Sequence, residues 1–363
     1  MHLKDLDTPA ILIDLDIMER NLARTADYGR EHGLRVRPHT KTHKIPALGR
    51  RQLELGAAGL SVAKTTEAEV MLSSGVKDLL IAYPVVGRAK LARLTELARK
   101  IQVTVAVDSL AAARPISDAA RAAGVEVSLL TEMDAGLHRV GVQPGVELEA
   151  LAAGVARLPH IRWRGVAFYP GHIKDLDETG RKQLEALRLT VRGAVQGLKA
   201  KGLTPEIVSG GSTPLEWESH TIAEMNEIRP GTYIFNDRNT VLSGACGKAD
   251  CAATILATVV SVAPGRIIID GGSKTFSSDR MSSSPEVTFG EVVGHEKIRF
   301  HKMNEEHGFL DLNGDATEFA VGDRLRIVPN HICVAMNLHE TVYGIRGDEV
   351  EHWWRVEGRG KLQ

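Results

Sequence analysis

The segment RPHTKTHK, residues 37–44, concentrates side chains that could do chemistry. It contains His39, Lys41, His43 and Lys44 within six positions. The segment ends a short run of residues that is typical of a β-strand, and barrel enzymes carry their catalytic groups at the carboxyl ends of strands. It is therefore a candidate catalytic site. A solvated basic turn is the alternative interpretation of such a cluster.

Two glycine-containing segments are candidates for binding phosphate. VSGGSTP (208–214) and RPGTYIF (229–235) lie at the ends of the seventh and eighth predicted strands. Glycine lets backbone N–H groups approach phosphate oxygens, and serine or threonine adds hydroxyl donors. In many barrels the loops after these two strands bind phosphate. Taken singly, each segment is more often a plain turn.

His331 and Cys333 are two residues apart in PNHICVAMNLHE. On a β-strand alternate residues project to one face, so we expect an imidazole and a thiolate that could share one metal ion. Thiolate with imidazole favours zinc over magnesium. Considered alone, a core cysteine beside an unrelated histidine is the commoner explanation. Cys246 and Cys251 are a rival metal pair, but their loop-like setting favours ordinary cysteines.

These candidate residues depend on a framework of alternating strands and helices between residue 34 and about residue 237. Short β-branched runs alternate there with Ala/Leu/Glu/Arg-rich stretches of helical period, which indicates βα units around a parallel sheet. Eight is the number of strands that closes a barrel. The sequence therefore predicts an α/β fold, a (β/α)8 TIM-type barrel. The predicted strands are 34–39, 59–63, 78–83, 102–107, 126–133, 163–169, 206–211 and 227–235.

After about residue 240 the sequence turns to strand-rich pieces with Gly, Asp and Pro turns, which predicts a C-terminal β-rich domain. A length of 363 residues also suits one barrel-sized unit and a smaller one. We predict the barrel at 9–240 and the β-rich domain at 241–363 together with residues 1–8. The strand-like segment AILIDL (10–15) fits either domain by its sequence.

Composition and charge narrow the classes of partner. Lysine plus arginine (45) nearly balances aspartate plus glutamate (46), so no sequence-wide positive field would concentrate nucleic acid or acidic membranes. We expect a small-molecule partner. Asp14 and Asp16 interrupt the N-terminal apolar run, which argues against a signal peptide, and three cysteines do not form a disulfide framework. We therefore expect a cytoplasmic protein.

In combination these motifs resemble the fold-type III pyridoxal 5'-phosphate (PLP) enzymes, which are alanine racemase-like, and among them the metal-dependent D-threonine aldolases and D-serine dehydratases. The resemblance runs from DTPAILIDLD at residue 7 to WWRVEGRG at residue 353, nearly the whole chain. DTPA, RPHTKTHK, GxxRxGV, AFYPGH, VSGGSTP, RPGTYIFND and H-x-C occur in the family's order. The resemblance implies a PLP-dependent lyase with an alanine racemase-like fold.

The resemblance also implies roles for individual residues. Lys41 would carry the cofactor covalently, Arg139 would face its pyridine nitrogen, and Tyr169 would be an active-site tyrosine near it. An arginine there would keep that nitrogen unprotonated. His331 and Cys333 would bind a divalent metal. The phosphate-binding stretches would contain Gly210, Gly211, Ser212, Thr213, Gly231, Thr232 and Tyr233.

The substrate class follows from cofactor and metal together. PLP makes a bond at Cα of an amino acid labile, and a divalent ion can hold a β-hydroxyl as a Lewis acid. The cofactor and the metal together imply a β-hydroxy amino acid as the substrate, and the resemblance implies that it belongs to the D series. The H-x-C pair, STP and YIFND favour a D-serine dehydratase, which releases oxoacid and ammonia. The NLH after the metal pair is typical of D-threonine aldolases, which release glycine and an aldehyde.

A racemase and a non-catalytic PLP carrier are the remaining alternatives. A racemase would not need the metal, and a carrier would lack the C-terminal domain. The ligand types favour zinc, with manganese or magnesium as alternatives. The resemblance implies a homodimer.

Overall fold

The structure of the protein is a computed structural model, which describes residues 1–281 and 286–363. By their contacts the residues form two compact units. The barrel unit comprises Arg24–Lys41, Pro46–Gly231 and Lys361–Gln363. The β-rich unit comprises Met1–Ala23, Thr42–Ile45 and Thr232–Gly360.

Strands and helices are numbered in chain order. The strands are β1 (Ala10–Asp14), β2 (Arg35–Val36), β3 (Leu60–Val62), β4 (Asp78–Ile81), β5 (Gln102–Val107), β6 (Val127–Met133), β7 (Ile161–Phe168), β8 (Ile207–Gly210), β9 (Glu227–Ile228), β10 (Ala253–Ala263), β11 (Arg266–Ile269), β12 (Gly290–Val292), β13 (Arg299–Met303), β14 (Gly308–Asp311), β15 (Arg324–Pro329), β16 (Thr341–Arg346) and β17 (Glu349–Arg355). The α-helices are α1 (Leu15–Glu31), α2 (Pro46–Glu54), α3 (Thr65–Met71), α4 (Arg88–Ala98), α5 (Leu110–Ala123), α6 (Val146–Ala156), α7 (Glu178–Ala200), α8 (Arg238–Leu242), α9 (Ser273–Phe276) and α10 (Ile332–Leu338). Short 3-10 segments are Leu3–Asp5, Thr40–Thr42, Leu72–Ser74, Thr213–Thr221, Thr232–Ile234 and Lys248–Asp250.

Strands β2 to β9 form one parallel sheet in the order β2-β9-β8-β7-β6-β5-β4-β3. The ends of this order are joined by a parallel bridge between His39 and Ser61, where the Ser61 N–H donates to the Pro38 carbonyl at 2.8 Å. Each of the eight predicted strands contributes to the sheet. The predicted barrel is therefore confirmed.

Several predicted strands are longer than the observed ones, the eighth most of all. The eighth was expected over 227–235, but β9 ends at Ile228, and Thr232–Ile234 is a 3-10 turn. Pro230 lies between them and has no N–H to donate to a ladder. The chain therefore leaves the sheet at this proline.

The barrel strands bury apolar side chains on both faces. Leu79 and Ile81 of β4 pack with helices α3 to α6 outside the sheet, whereas Leu80 belongs to a separate small cluster with Ala106, Leu130, Ala167 and Ile207. This alternation is the period of two of a β-strand. When both faces of a parallel sheet are covered, the sequence of each strand is a continuous apolar run. These strands could therefore be predicted from the sequence.

A buried ion-pair network accompanies this apolar core. Asp78, at the start of β4, pairs with Arg37 at 3.0 Å and with Arg164 at 3.1 Å, and Arg37 pairs with Glu227 at 2.9 Å. Burial disfavours the charged carboxylate of Asp78, but the two arginines outweigh burial and hold its pKa below the usual value. The network links strands that are distant in the sequence.

The β-rich unit is a mixed sheet in the order β13-β14-β11-β10-β1-β16-β17, in which β15 pairs with both β10 and β12. Strand β1 pairs antiparallel with β10 and parallel with β16, so AILIDL belongs to this sheet. The predicted β-rich second unit is confirmed, while its limits at 1–8 and 241–363 stay a prediction. No helix in the described part of the chain is long and apolar enough to cross a membrane.

Candidate active site

The two glycine segments meet at the carboxyl ends of the neighbouring strands β8 and β9. The Gly231 N–H donates to Thr213 Oγ1 at 3.3 Å. A Cβ at Gly210 would lie 2.3 Å from the Phe168 ring, and Gly211 has a φ of +83°. Both positions therefore require glycine. The two glycines thus let this loop pack against Phe168 and turn into Ser212.

Ser212 is the residue of this loop that points most directly to a ligand. Its side chain is buried, and its Oγ has no hydrogen-bond partner among the described residues. A buried hydroxyl without a partner costs free energy, and a phosphate oxygen would accept its hydrogen bond. Ser212, with the glycines beside it, therefore fits the phosphate group of PLP. The phosphate-binding role of these residues stays a prediction.

Lys41 lies in the loop that follows β2, the first barrel strand. It belongs to the 3-10 segment Thr40–Thr42, its side chain is exposed, and its N–H donates to His39 Nδ1 at 3.4 Å. The end of a barrel strand is where catalytic groups are found, as the sequence predicted. An exposed amine at this end is accessible to an aldehyde cofactor, so Lys41 fits the covalent role that the resemblance implies.

Arg139 and Tyr169 come together from the loops after β6 and β7. The Arg139 guanidinium lies over the Tyr169 ring, 4.9 Å from its centroid, which is a cation–π contact. Asp134 shapes the loop before Arg139, because its Oδ1 accepts the N–H groups of Gly136 at 2.9 Å and His138 at 3.1 Å. Tyr169 therefore orients Arg139, whose place beside a pyridine ring stays a prediction.

Two titratable groups of the barrel unit, His172 and Glu132, have shifted pKa values. Burial lowers the pKa of His172, and its Nδ1 is buried with no partner among the described residues. Its ring is so close to Gly136 that a Cβ there would lie 2.9 Å from it. Burial raises the pKa of Glu132, with Arg229 and Arg139 opposing the effect. Perturbed groups of this kind are typical of functional sites.

His331 and Cys333 do come together, but not on a strand. His331 precedes α10 and Cys333 lies in its first turn, so the predicted strand geometry is wrong. The segment buries Ile332, Ala335 and Met336, which is the i, i+3, i+4 period of a helix. The charge of Cys333 raises the pKa of His331 to about 11, against burial and with help from Asp237. The imidazole and the sulfur are therefore close neighbours.

The sulfur of Cys333 is surrounded by hydroxyl groups. Thr42 Oγ1 lies 3.2 Å from the Cys333 sulfur, and Thr232 Oγ1 lies 3.7 Å from it. Lys44 Nζ donates to Asn337 Oδ1 at 2.8 Å. Cys333 and Asn337 are one turn apart on α10, so segment 42–45 contacts one face of this helix twice. Thr42 is the residue after Lys41 in the chain.

The donor set fits a catalytic metal better than a structural one. In the ranges 1–281 and 286–363, no group of three or more His, Cys, Asp or Glu side chains could hold an ion. Structural zinc sites have four protein ligands, whereas catalytic zinc sites usually have three and keep a position open for water or substrate. A pair formed by one imidazole and one thiolate would leave such positions open.

The two compact units divide the predicted site residues between them. The β-rich unit contains Thr232, Tyr233, His331 and Cys333, and Tyr233 is buried. The barrel unit carries Lys41, Arg139, Tyr169, Gly210, Gly211, Ser212, Thr213 and Gly231. Sequence reasoning missed Thr42 and Asp237, which contact the predicted metal ligands, although both lie within quoted motifs, RPHTKTHK and RPGTYIFND. The signal that could have found them is a polar residue beside each predicted ligand segment.

Two protein families match most of the chain. The alanine racemase N-terminal domain family matches residues 13–239, and the putative serine dehydratase domain family matches residues 252–345. This chain belongs to the alanine racemase-like, fold-type III family of PLP enzymes. The family predicted from the sequence is thereby confirmed, and membership implies PLP as the cofactor.

Individual relatives cover nearly the whole chain. A 3-hydroxy-D-aspartate aldolase of Paracoccus denitrificans is 33% identical over 99% of this chain and 94% of its own length. A D-threo-3-hydroxyaspartate dehydratase of Delftia sp. is 33% identical over 97% and 98%. The crystal structure of D-threonine aldolase from Filomicrobium marinum superposes with a TM-score of 0.92 at 32% identity, covering 99% of this chain and 98% of that one.

Solved structures of a D-threo-3-hydroxyaspartate dehydratase include two informative mutants. One, in which a cysteine is replaced by alanine, is described as metal-free, with a TM-score of 0.88 and 32% identity over 98% of this chain and 99% of that one. In another, a histidine two positions before that cysteine is replaced by alanine. The relatives are aldolases and dehydratases, and this chain is accordingly a PLP-dependent lyase.

Proposed function

We propose that this lyase acts on β-hydroxy-D-amino acids with the help of a divalent metal and that it eliminates the β-hydroxyl, as a D-serine dehydratase does, to give oxoacid and ammonia. The observation that carries the proposal is the pairing of His331 with Cys333 at the start of α10. An imidazole and a thiolate with open positions beside them suit an ion that acts as a Lewis acid.

The solved mutants of a D-threo-3-hydroxyaspartate dehydratase support both the metal pair and the choice of elimination. The cysteine mutant is described as metal-free, and the histidine mutant is altered two positions earlier. His331 and Cys333 have the same residue types, order and spacing. We therefore propose that they hold the ion in this chain, with zinc as the first choice because thiolate and imidazole favour it, and with manganese or magnesium as alternatives.

When bound, PLP would withdraw electrons from Cα of the substrate, and the ion would polarise the β-oxygen. Lys41 Nζ would bind the cofactor and take the α-proton. The Ser212 hydroxyl and the backbone of Gly210 and Gly211 would hold the phosphate. Tyr169 would keep Arg139 in place through the contact of its ring with the guanidinium.

Aldol cleavage is the second candidate. Two observations favour it: the 33% identity to a 3-hydroxy-D-aspartate aldolase and the TM-score of 0.92 to a D-threonine aldolase. The same lysine and the same metal pair would serve both reactions. The products distinguish them, because elimination leaves all the carbon atoms of the substrate in one molecule.

The deciding experiment is incubation of the PLP- and Zn²⁺-loaded enzyme with D-serine and with D-threonine. We expect pyruvate and 2-oxobutyrate with one equivalent of ammonia, and no turnover of the L-enantiomers. Glycine and an aldehyde as main products would replace the proposal with the aldolase. D-amino acid converted only to its enantiomer would indicate a racemase and end both lyase proposals.

The lysine assignment has its own test. In Lys41→Ala we expect no covalently bound cofactor, so the absorption band of lysine-bound PLP should be missing. Covalent PLP in this variant would contradict the assignment. Circular dichroism shows whether the variant is folded.

Assembly, compartment and partners are further parts of the proposal. We propose a cytoplasmic homodimer that binds a small-molecule D-amino acid and neither nucleic acid nor membranes. The near balance of charges supports the small-molecule partner. Light scattering of the purified protein tests the assembly, and a mass of one chain at micromolar concentration would contradict the dimer.

A further inference from the structure

We infer that Asp237 is a positioning residue for the metal pair: its carboxylate fixes the His331 ring so that Nε2 is the nitrogen presented to the ion. The inference rests on the proposed function, because the ion belongs to that proposal. It adds a residue that contacts no ligand and acts through His331.

The contacts of Asp237 occupy both of its oxygens. Its Oδ2 lies 3.1 Å from His331 Nδ1 and accepts the N–H of Ile332 at 3.0 Å. Its Oδ1 accepts the N–H of Thr240 at 2.9 Å and the Thr240 hydroxyl at 2.8 Å. Asp237 is fully buried, and all four neighbouring groups are donors once Nδ1 carries a hydrogen. A carboxylate is the side chain that satisfies them together.

This arrangement selects the tautomer of His331. With Nδ1–H donating to Asp237, Nε2 is the nitrogen left to bind the ion, which displaces the proton that Nε2 carries. The Asp237 side chain is 1% exposed and the His331 side chain 33% exposed, so Nδ1 is anchored to a buried group while part of the ring remains accessible. Histidine ligands of metals characteristically donate their second N–H to a carboxylate, which fixes the ring and raises its basicity.

Asp237 also joins two helix starts. It precedes α8, where its side chain accepts from Thr240, and it accepts from Ile332, the first residue of α10. Its Oδ1 serves α8, whereas its Oδ2 serves His331 and α10. A purely structural role would therefore concern the Oδ1 contacts and the Ile332 N–H, and a positioning role the contact of Oδ2 with His331. The two roles can be separated by substitution.

Two substitutions make this separation. Asp237→Ser keeps an oxygen that can cap α8, since serine is a favoured cap residue, but it is too short to reach His331. Thr240→Val is the matched control, because it removes only the hydroxyl bond to Oδ1. The measurement is the affinity for Zn²⁺, determined by competition with a chromophoric chelator. Circular dichroism of each variant checks that it is folded.

We expect Asp237→Ser to bind Zn²⁺ roughly 10- to 100-fold more weakly than the unaltered protein, and Thr240→Val to stay within about threefold of it. In a His331→Ala background, Asp237→Ser should cause no further loss. With Co²⁺ as the probe, the sulfur-to-metal absorption from Cys333 should persist in Asp237→Ser, because that ligand is untouched.

The possible outcomes distinguish this inference from the proposed function. If the unaltered protein binds no stoichiometric Zn²⁺, the metal site itself is wrong. If it binds Zn²⁺ and His331→Ala abolishes binding while Asp237→Ser keeps the affinity within threefold, only the positioning role is overturned. An equal loss in Thr240→Val would also overturn it, because the effect would then come from capping of α8. Should Asp237→Ser be unfolded, Asp237→Asn gives the same comparison.

Discussion

Ser212 is the single residue whose surroundings in the barrel unit fit a phosphate most directly. Its Oγ is buried without a partner among the described residues, whereas Ser219, at the other end of the same 3-10 segment, donates to the Leu215 carbonyl at 2.9 Å. Both serines are buried, so they differ mainly in whether the protein itself satisfies the hydroxyl. A hydroxyl left unsatisfied by the protein costs stability unless a ligand uses it.

Replacing Ser212 by alanine removes one oxygen atom and tests whether the hydroxyl binds the phosphate of PLP. We expect Ser212→Ala to weaken PLP binding by roughly 10-fold or more, because hydrogen bonds to charged groups contribute about 1.5–3 kcal/mol. Without PLP the variant should unfold at an equal or higher urea concentration, since only an unpaired hydroxyl is lost. PLP titration by absorbance and urea unfolding are the measurements.

Ser219→Ala is the control for that prediction. It removes a hydroxyl that has a partner, so we expect a loss of about 1 kcal/mol in the free energy of unfolding and unchanged PLP affinity. If Ser212→Ala behaved in the same way as Ser219→Ala, the phosphate role of Ser212 would be wrong.

Residue types in local motifs were predictable from sequence, but their partners were not. Lys41 and the glycine segments were predicted because they lie at predicted strand ends, and Arg139 was predicted from the family resemblance. Asp237 was missed because its contact with His331 spans 94 positions along the chain. Only the folded β-rich unit brings α8 beside the start of α10, and no spacing rule in one sequence encodes that approach.

Among the elements, the 3-10 segment Thr213–Thr221 is placed by contacts with α1. Glu216 on this segment is completely buried and accepts a hydrogen bond from Thr25 of α1. Burial raises the pKa of Glu216 to about 7, with Thr25 and Arg24 opposing the effect. The 3-10 segment that follows Ser212 therefore contacts α1 through a carboxyl group whose burial favours the protonated form.

A pH dependence of stability follows from Glu216. Because its folded pKa is raised above the usual 4.5, its contribution is fully present below about pH 4.5 and is lost as the pH rises through about 7. Between pH 5 and pH 8 we expect the free energy of unfolding to fall by about 2 to 3 kcal/mol relative to Glu216→Gln. Urea unfolding of both proteins across this range is the measurement.

Glu218→Gln is the matched control on the same segment, because the Glu218 side chain is 33% exposed. Measuring both variants over the same pH range shows whether the pH dependence belongs to the buried residue or to any carboxyl group on this segment. A constant difference between Glu216→Gln and the unaltered protein would show that Glu216 is ionised throughout the range.

Strands and helices with a strong hydrophobic period could be predicted from the sequence, whereas short elements with an ambiguous pattern could not. Strand β5 was predicted at its observed limits, 102–107, because QVTVAV is a buried β-branched run. The start of α10 was misjudged, because ICVAMNL is short and apolar and suits a strand or a helix equally. Its helical state depends on which face the β-rich unit buries, and that is a tertiary effect.

At the scale of the whole molecule, the chain separates its two chemistries. Most of the predicted cofactor residues, such as Lys41 and Ser212, belong to the barrel unit, whereas the β-rich unit contains the predicted cofactor residue Thr232 and the proposed metal pair, His331 and Cys333. Each unit has its own sheet. Binding of PLP and binding of the ion should therefore be largely independent, while turnover of a β-hydroxy substrate needs both.

Removal of the metal tests this division of roles. After treatment with a strong chelator we expect the absorption band of bound PLP to remain, while turnover of D-serine falls by at least about 100-fold, because Lewis-acid stabilisation is worth several kcal/mol. Zn²⁺ should restore turnover in the unaltered protein and not in Cys333→Ala. Full activity with no stoichiometric metal would remove the Lewis acid from the mechanism. Loss of the PLP band together with the metal would show that the two sites depend on each other.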